Sequence, residues 1–137
     1  MVLDLSALRS ATAQLERSLA YAHSPQALAD PGLREQLRNS VIQCFEFTYE
    51  LAWKMMKRHL EWGGESGLTT MPRRELFRLA ARYSLIEDPQ RWFEYHEGRN
   101  LTSHTYDEAN ARKVVALLKG FVKDTAYLLN TLKEHHA

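Results

Sequence analysis

The sequence predicts an all-α protein, an antiparallel up-and-down bundle of about five helices, two of them long. Three observations carry that prediction. Apolar residues recur at spacings of three and four over most of the chain, the period of a helix with a buried face. No stretch of useful length alternates apolar and polar residues as a half-buried strand would. Most of the four prolines and six glycines stand at the ends of the helical runs.

Leu5, Leu8, Thr12, Leu15, Leu19 and Ala22 form one apolar stripe and define the first helix, which Ser24-Pro25 ends or interrupts. Asp30-Pro31 has the form of an N-cap followed by proline at the first helical position. Gly63-Gly64 supplies the stop, so a second helix runs to Trp62. At about 1.5 Å per residue it reaches about 50 Å. It carries two stripes: Val41, Phe45, Thr48, Ala52, Met55 and His59, then Ile42, Tyr49, Trp53, Met56 and Leu60. Charged residues fill the remaining face, with Glu50–Lys54 and Lys57–Glu61 spaced as i,i+4 pairs. So wide an apolar arc fits a central bundle helix, and it also fits a helix that meets a second copy of the chain.

Gly63–Thr70 reads as a loop. Pro72 opens a short helix with Leu76, Phe77, Leu79, Ala80 and Tyr83 inward and with Arg73, Arg74, Arg78 and Arg82 on a solvated face. Asp88-Pro89 repeats the start signal ahead of Trp92, Phe93, Tyr95 and His96. The last helix opens at Asp107-Glu108-Ala109 and carries Val114, Leu117, Leu118, Phe121, Ala126, Leu128 and Leu132. Gly120 inside it costs about 1 kcal/mol relative to Ala, or marks a close helix contact.

At 137 residues, 1–137 forms one domain with a real core. Hydrophobic residues make 45% and charged residues 26%, ordinary for a globular protein. A formal net charge of +1 gives no whole-molecule attraction to polyanions, so any nucleic-acid contact must be local. A single cysteine, Cys44, excludes an internal disulfide and a multi-cysteine zinc site, and its helical setting makes it a buried, inert thiol. The six histidines show no H-x3-H or HExxH spacing, with His135 and His136 at a frayed terminus, so no metal is expected. No cofactor motif is present. No apolar run approaches the roughly 18 residues of a membrane span and no signal-peptide pattern opens the chain, which points to a cytoplasmic protein.

The chemistry concentrates in Arg99-Asn100-Leu101-Thr102-Ser103-His104-Thr105-Tyr106. On one continuous helix Arg99 and His104 would stand roughly 140° apart. A break near Leu101–Ser103 lets both face one cleft. Thr105-Tyr106-Asp107-Glu108 has the S/T-x-x-E form of a capping box, with Thr105 as N-cap and Tyr106 in the first turn. A helix start offers free N–H groups to an anion, Arg99 offers a planar fork for phosphate, and His104 offers an imidazole for acid/base work. Against this stands a bland alternative, in which Arg99 pairs with Glu94 or Glu97 and His104 merely satisfies the turn.

Arg99-x4-His104-x-Tyr106, with polar Asn100 after the arginine, resembles the R-x4-H-x-Y motif of HEPN domains. Phe45-Glu46-Phe47-Thr48-Tyr49-Glu50-Leu51-Ala52-Trp53-Lys54 and Gly98–Glu108 are similar to the nucleotidyltransferase substrate-binding branch of that family, related to HepT-type toxins. The resemblance covers about Leu5 to Leu132 and implies a helical bundle. It further implies a partnership with a small nucleotidyltransferase encoded nearby, in a toxin–antitoxin-like pair, with this chain as the substrate- or nucleotide-binding subunit. The alternative it implies is a metal-independent endoribonuclease whose site forms at a homodimer interface and takes RNA. In that site His104 does acid/base work, Arg99 stabilises phosphate and Asn100 orients His104 or the ribose. Tyr106 is then the residue to which the partner adds AMP. The chain has no Gly-rich phosphate loop and no paired-aspartate metal triad, so it is not itself a nucleotidyltransferase.

Overall fold

Aspartate or serine followed by proline starts three of the helices. The Ser24 hydroxyl accepts from the Ala27 N–H, the Asp30 carboxylate from Gly32 and Leu33, and the Asp88 carboxylate from Gln90. Each cap satisfies donors that the first turn leaves free, and proline in that turn has no N–H to lose. The computed structural model describes residues 3–136, which form α1 (Ser6–Ala22), α2 (Pro25–Ala29), α3 (Pro31–Trp62), α4 (Arg73–Arg82), α5 (Pro89–Leu101), a 3-10 turn (Thr102–His104) and α6 (Glu108–His136). The all-helical class is as the sequence predicts. The count is six α-helices where about five are expected, because Ser24-Pro25 ends one helix and caps the short α2 as well.

α3 is the axis of the fold and packs against all five other helices. Both of its apolar stripes are buried, apart from half-buried Trp53. The breadth of that arc is therefore used up inside the chain and does not call for a second copy. Phe45 meets Phe121 edge-on at 4.8 Å between ring centres, and Trp92, Tyr95 and Phe121 continue the cluster between α5 and α6. Cys44 is buried, with the Ser18 hydroxyl 3.4 Å from its sulfur. No helix among the described residues is long and apolar enough to cross a membrane.

One buried carboxylate joins α5 to α6. Asp124 accepts from Arg91 Nε and Nη2, both at 2.8 Å, and from the Tyr95 hydroxyl. Burial, then the Asp124 bond, push the Tyr95 phenol far above its ordinary range, so it stays a donor. A Cβ on Gly120 would stand 3.1 Å from that hydroxyl, which explains a glycine in mid-helix.

Three local expectations change. Tyr83 is 52% exposed rather than inward. It caps the end of α4, and Ser84 beside it has φ 60°, which reverses the chain so that Leu85 and Ile86 enter the core instead. Glu50 does not pair with Lys54; its carboxylate accepts from Trp53 Nε1 at 3.0 Å and faces α5. Among the described residues the end of α6 is not frayed. His136 is buried, with its Nε2 2.8 Å from His59 Nδ1, and its own Nδ1 accepts from the Leu3 N–H. That second bond places the His136 proton on Nε2, so it donates to His59.

These contacts set how the fold responds to acid and to mutation. Burial first, then the neighbouring His135 and His136, press His59 down to about 4. The unfolded chain therefore binds a proton that the folded chain refuses, between about 6.5 and about 4. Stability from this ring is complete above about pH 6.5 and lost as pH falls toward 4. Urea titrations should show that loss, and His59→Gln should lessen it; an unchanged slope in the variant would contradict the pairing. Separately, Asp124→Asn should cost about 2 kcal/mol, the scale of hydrogen bonds to a charged group. A midpoint unchanged in urea would show that the α5–α6 junction does not rest on this carboxylate.

Candidate functional site

α5 sits close enough to its neighbours that a Cβ on Gly98 would stand 2.5 Å from Leu117 Cδ1 and 3.6 Å from Phe45. That close seat brings the next residue, Arg99, over the charged edge of α3. Its guanidinium lies 3.2 Å from Glu50 Oε1 through Nε and 3.4 Å from Glu46 Oε1 through Nη2. Its Nη1 donates to Thr102 Oγ1 at 3.2 Å, and that hydroxyl donates back to the Arg99 carbonyl at 2.6 Å. The partners are not the near-sequence Glu94 or Glu97; Glu97 faces Arg74. The buried Arg99 Nε makes no hydrogen bond of good geometry in spite of the nearby Glu50. The fork is thus held electrostatically while part of its donor capacity is unspent.

Glu46 and Glu50 belong to the site although the motif does not include them. The available signal was their spacing of four, which sets two carboxylates on one face of α3. Their role depends on α5 crossing there, a contact between residues about fifty positions apart.

The chain breaks where expected. α5 ends at Leu101 and the 3-10 turn Thr102–His104 redirects it. The cap differs from expectation. Asp107, not Thr105, caps α6: its carboxylate accepts from the Ala109 N–H at 2.9 Å and its carbonyl from Ala111. The Thr105 hydroxyl turns instead to the Thr102 carbonyl. Asp is as good a cap as Thr and stands next to the first helical residue. Tyr106 therefore precedes the helix rather than lying in its first turn. The helix start holds the carboxylates of Asp107 and Glu108, and Glu108 pairs with Arg38 at 2.7 Å. The start of α6 is thus not an open helix terminus.

His104 and Tyr106 are brought together, with ring centres 6.0 Å apart in an edge-on arrangement. The Tyr106 side chain is 87% exposed. The His104 carbonyl accepts from Asp107 N and Asn110 Nδ2, which satisfies the turn. Its imidazole is exposed and has no hydrogen-bond partner among the described residues, as is also true of the Asn100 amide. No hydrogen bond joins Arg99 or Asn100 to His104, so within one chain the predicted residues fall apart into an anchored Arg99, an unpartnered Asn100, and the His104 imidazole beside the Tyr106 phenol. A cleft of about 460 Å³ lies elsewhere, between Leu28, Arg34, Arg38, Val41, Glu108 and Val115. Among the described residues no group of three or more His, Cys, Asp or Glu could hold a metal ion.

Comparison with known proteins agrees with the helical fold. Residues 3–134 match the model of the family described as nucleotidyltransferase substrate binding protein like. The chain is 36% identical over 106 residues to a Haemophilus influenzae protein named "Probable ribonuclease HepT", covering 76% of this chain and 73% of that one. A solved Haemophilus influenzae structure, described as a substrate binding domain of a nucleotidyltransferase, superposes with a TM-score of 0.89 at 32% identity over 95% of this chain and 99% of the other. A crystal structure from Thermus thermophilus superposes with a TM-score of 0.72 at 27% identity, over 91% and 98%. With Arg99-x4-His104-x-Tyr106 intact on that fold, the chain belongs to the nucleotidyltransferase substrate-binding-like, HepT-related family of HEPN proteins.

Proposed function

We propose that this protein acts with a small nucleotidyltransferase as the subunit that receives its chemistry, in a toxin–antitoxin-like pair. The observation that carries the reading is the exposed Tyr106 phenol beside the free His104 imidazole, on a turn next to an anchored arginine. In the transfer, the Tyr106 oxygen attacks the α-phosphorus of ATP supplied to the partner. The bond to the β-phosphate oxygen breaks, pyrophosphate leaves, and the phenol proton passes to a base or water. Exposure lets a second protein reach the oxygen, and Arg99 favours the incoming phosphate. The added AMP then brings negative charge and bulk to the same turn.

A second reading is favoured by the unengaged His104 ring: metal-independent RNA cleavage, which AMP on Tyr106 would silence. There a 2′-oxygen attacks the adjacent phosphorus and the bond to the 5′-oxygen breaks. One group takes the 2′-proton, another returns a proton to the leaving oxygen, and a cation offsets the phosphorane charge. A single chain has one motif histidine, so two copies around a two-fold axis would supply the pair, with Arg99 as the cation and Asn100 as an orienting amide.

Incubation with the cognate nucleotidyltransferase, ATP and Mg²⁺ should add AMP to the wild type and not to Tyr106→Phe. RNA cleavage should vanish in the modified wild type and in His104→Ala, with melting temperature unchanged in the latter because the ring touches nothing that it stabilises. No adduct, or one on another residue, would reject the transfer. Full cleavage by His104→Ala would reject the nuclease.

A further inference from the structure

His96 stands one turn before Arg99 on α5, so the two side chains share a face about 4.5 Å apart along the axis. Its Nδ1 lies 2.7 Å from the Tyr49 hydroxyl, which also receives a hydrogen bond from Arg73 Nη1 at 3.3 Å. A guanidinium can only donate, so the Tyr49 oxygen is the acceptor there. Tyr49 is fully buried and its hydroxyl has no other partner among the described residues. Its own proton has one destination, His96 Nδ1. That fixes the tautomer: Nδ1 accepts and Nε2 carries the hydrogen.

Nε2 has no hydrogen-bond partner among the described residues, and the ring is only part-buried. Burial, and then Arg73, hold the ring below its ordinary range, with Arg74 adding to this while Glu50 and Glu97 oppose it. Protonating Nδ1 would also strand the buried Tyr49 hydroxyl. His96 Nε2–H is thus a donor with no partner of its own among the described residues. Its support is rigid: the Arg73 guanidinium sits 3.5 Å from the centre of the Trp53 ring, whose N–H goes to Glu50, and Glu50 faces Arg99. The two donors therefore stand on one face of α5, braced against α3.

We propose that His96 Nε2–H forms a second phosphate subsite, which takes the phosphate next to the one held by Arg99, with Tyr49 and Arg73 as positioning residues. The preferred ligand is then a polynucleotide strand with at least two phosphates rather than a single nucleotide. The proposal rests on Arg99 being a phosphate site, and the test separates the two claims.

The probes are 2′-deoxy oligonucleotides, which cannot be cleaved: a dinucleoside with one phosphate and a trinucleoside with two. The wild type should bind the second about fivefold more tightly, the worth of one added hydrogen bond. His96→Asn, which can still accept from Tyr49 but reaches less far, should erase that preference. Tyr49→Phe keeps the ring and frees the tautomer, so it should give an intermediate preference and serves if His96→Asn does not fold. Long-range ¹⁵N–¹H spectra should show the proton on Nε2 in the wild type and a mixture in Tyr49→Phe. An equal affinity for both probes, an unchanged preference in His96→Asn, or a wild-type proton on Nδ1 would overturn the subsite alone. Binding of neither probe would overturn the Arg99 site and this proposal with it.

Discussion

The site depends on how α5 is seated, and Asp124 is the anchor of that seat. A carboxylate buried inside α6 must find donors, and α5 supplies them one turn apart in Arg91 and Tyr95. Once those bonds form, α5 has one register. His96 follows Tyr95 directly, Gly98 admits the close approach to Leu117 and Phe45, and Arg99 lands over Glu46 and Glu50. Slippage of α5 by one residue would turn every one of these by about 100°. The anchor residues touch nothing reactive, yet they decide where the reactive residues stand.

Electrostatics then assign the roles. With a net charge of +1 the molecule as a whole has no pull on nucleic acid, and the start of α6 is already occupied by Asp107 and Glu108. Under the proposed function, phosphate is drawn by Arg99 and the groups beside it. Two carboxylates hold that guanidinium electrostatically, with no well-directed hydrogen bond from its buried Nε. The phenol and imidazole beyond the 3-10 turn carry no such restraint. An anchored cation and an exposed pair of reactive rings suit a site that a second protein must reach.

Much of this was legible in the sequence because it is local. Asp30-Pro31 and Asp88-Pro89 mark helix starts through chemistry within three residues, and the break after Leu101 follows from the spacing of the motif. The short α2 was hidden because one Ser-Pro step both ends and begins a helix. The α6 cap was misassigned because Thr105 and Asp107 each present an acceptor, and only the geometry of the turn chooses Asp107. The contacts that build the site were out of reach. Glu50 has a partner four residues away in sequence and prefers one forty-nine positions on. His136 reads as terminal until the far end of α3 presents His59 to it. Periodicity reports which face is apolar, not which charged residue waits across the groove.

The proposed function turns on anions meeting this protein at the Arg99–His104 turn and not in the cleft beside Arg38. Side-chain NMR during titration with a non-cleavable 2′-deoxy oligonucleotide tests it directly. The Arg99 Nε and His104 ring signals should move together while Arg34 and Arg38 stay still. Shifts confined to Arg34 and Arg38, with Arg99 and His104 silent, would contradict it.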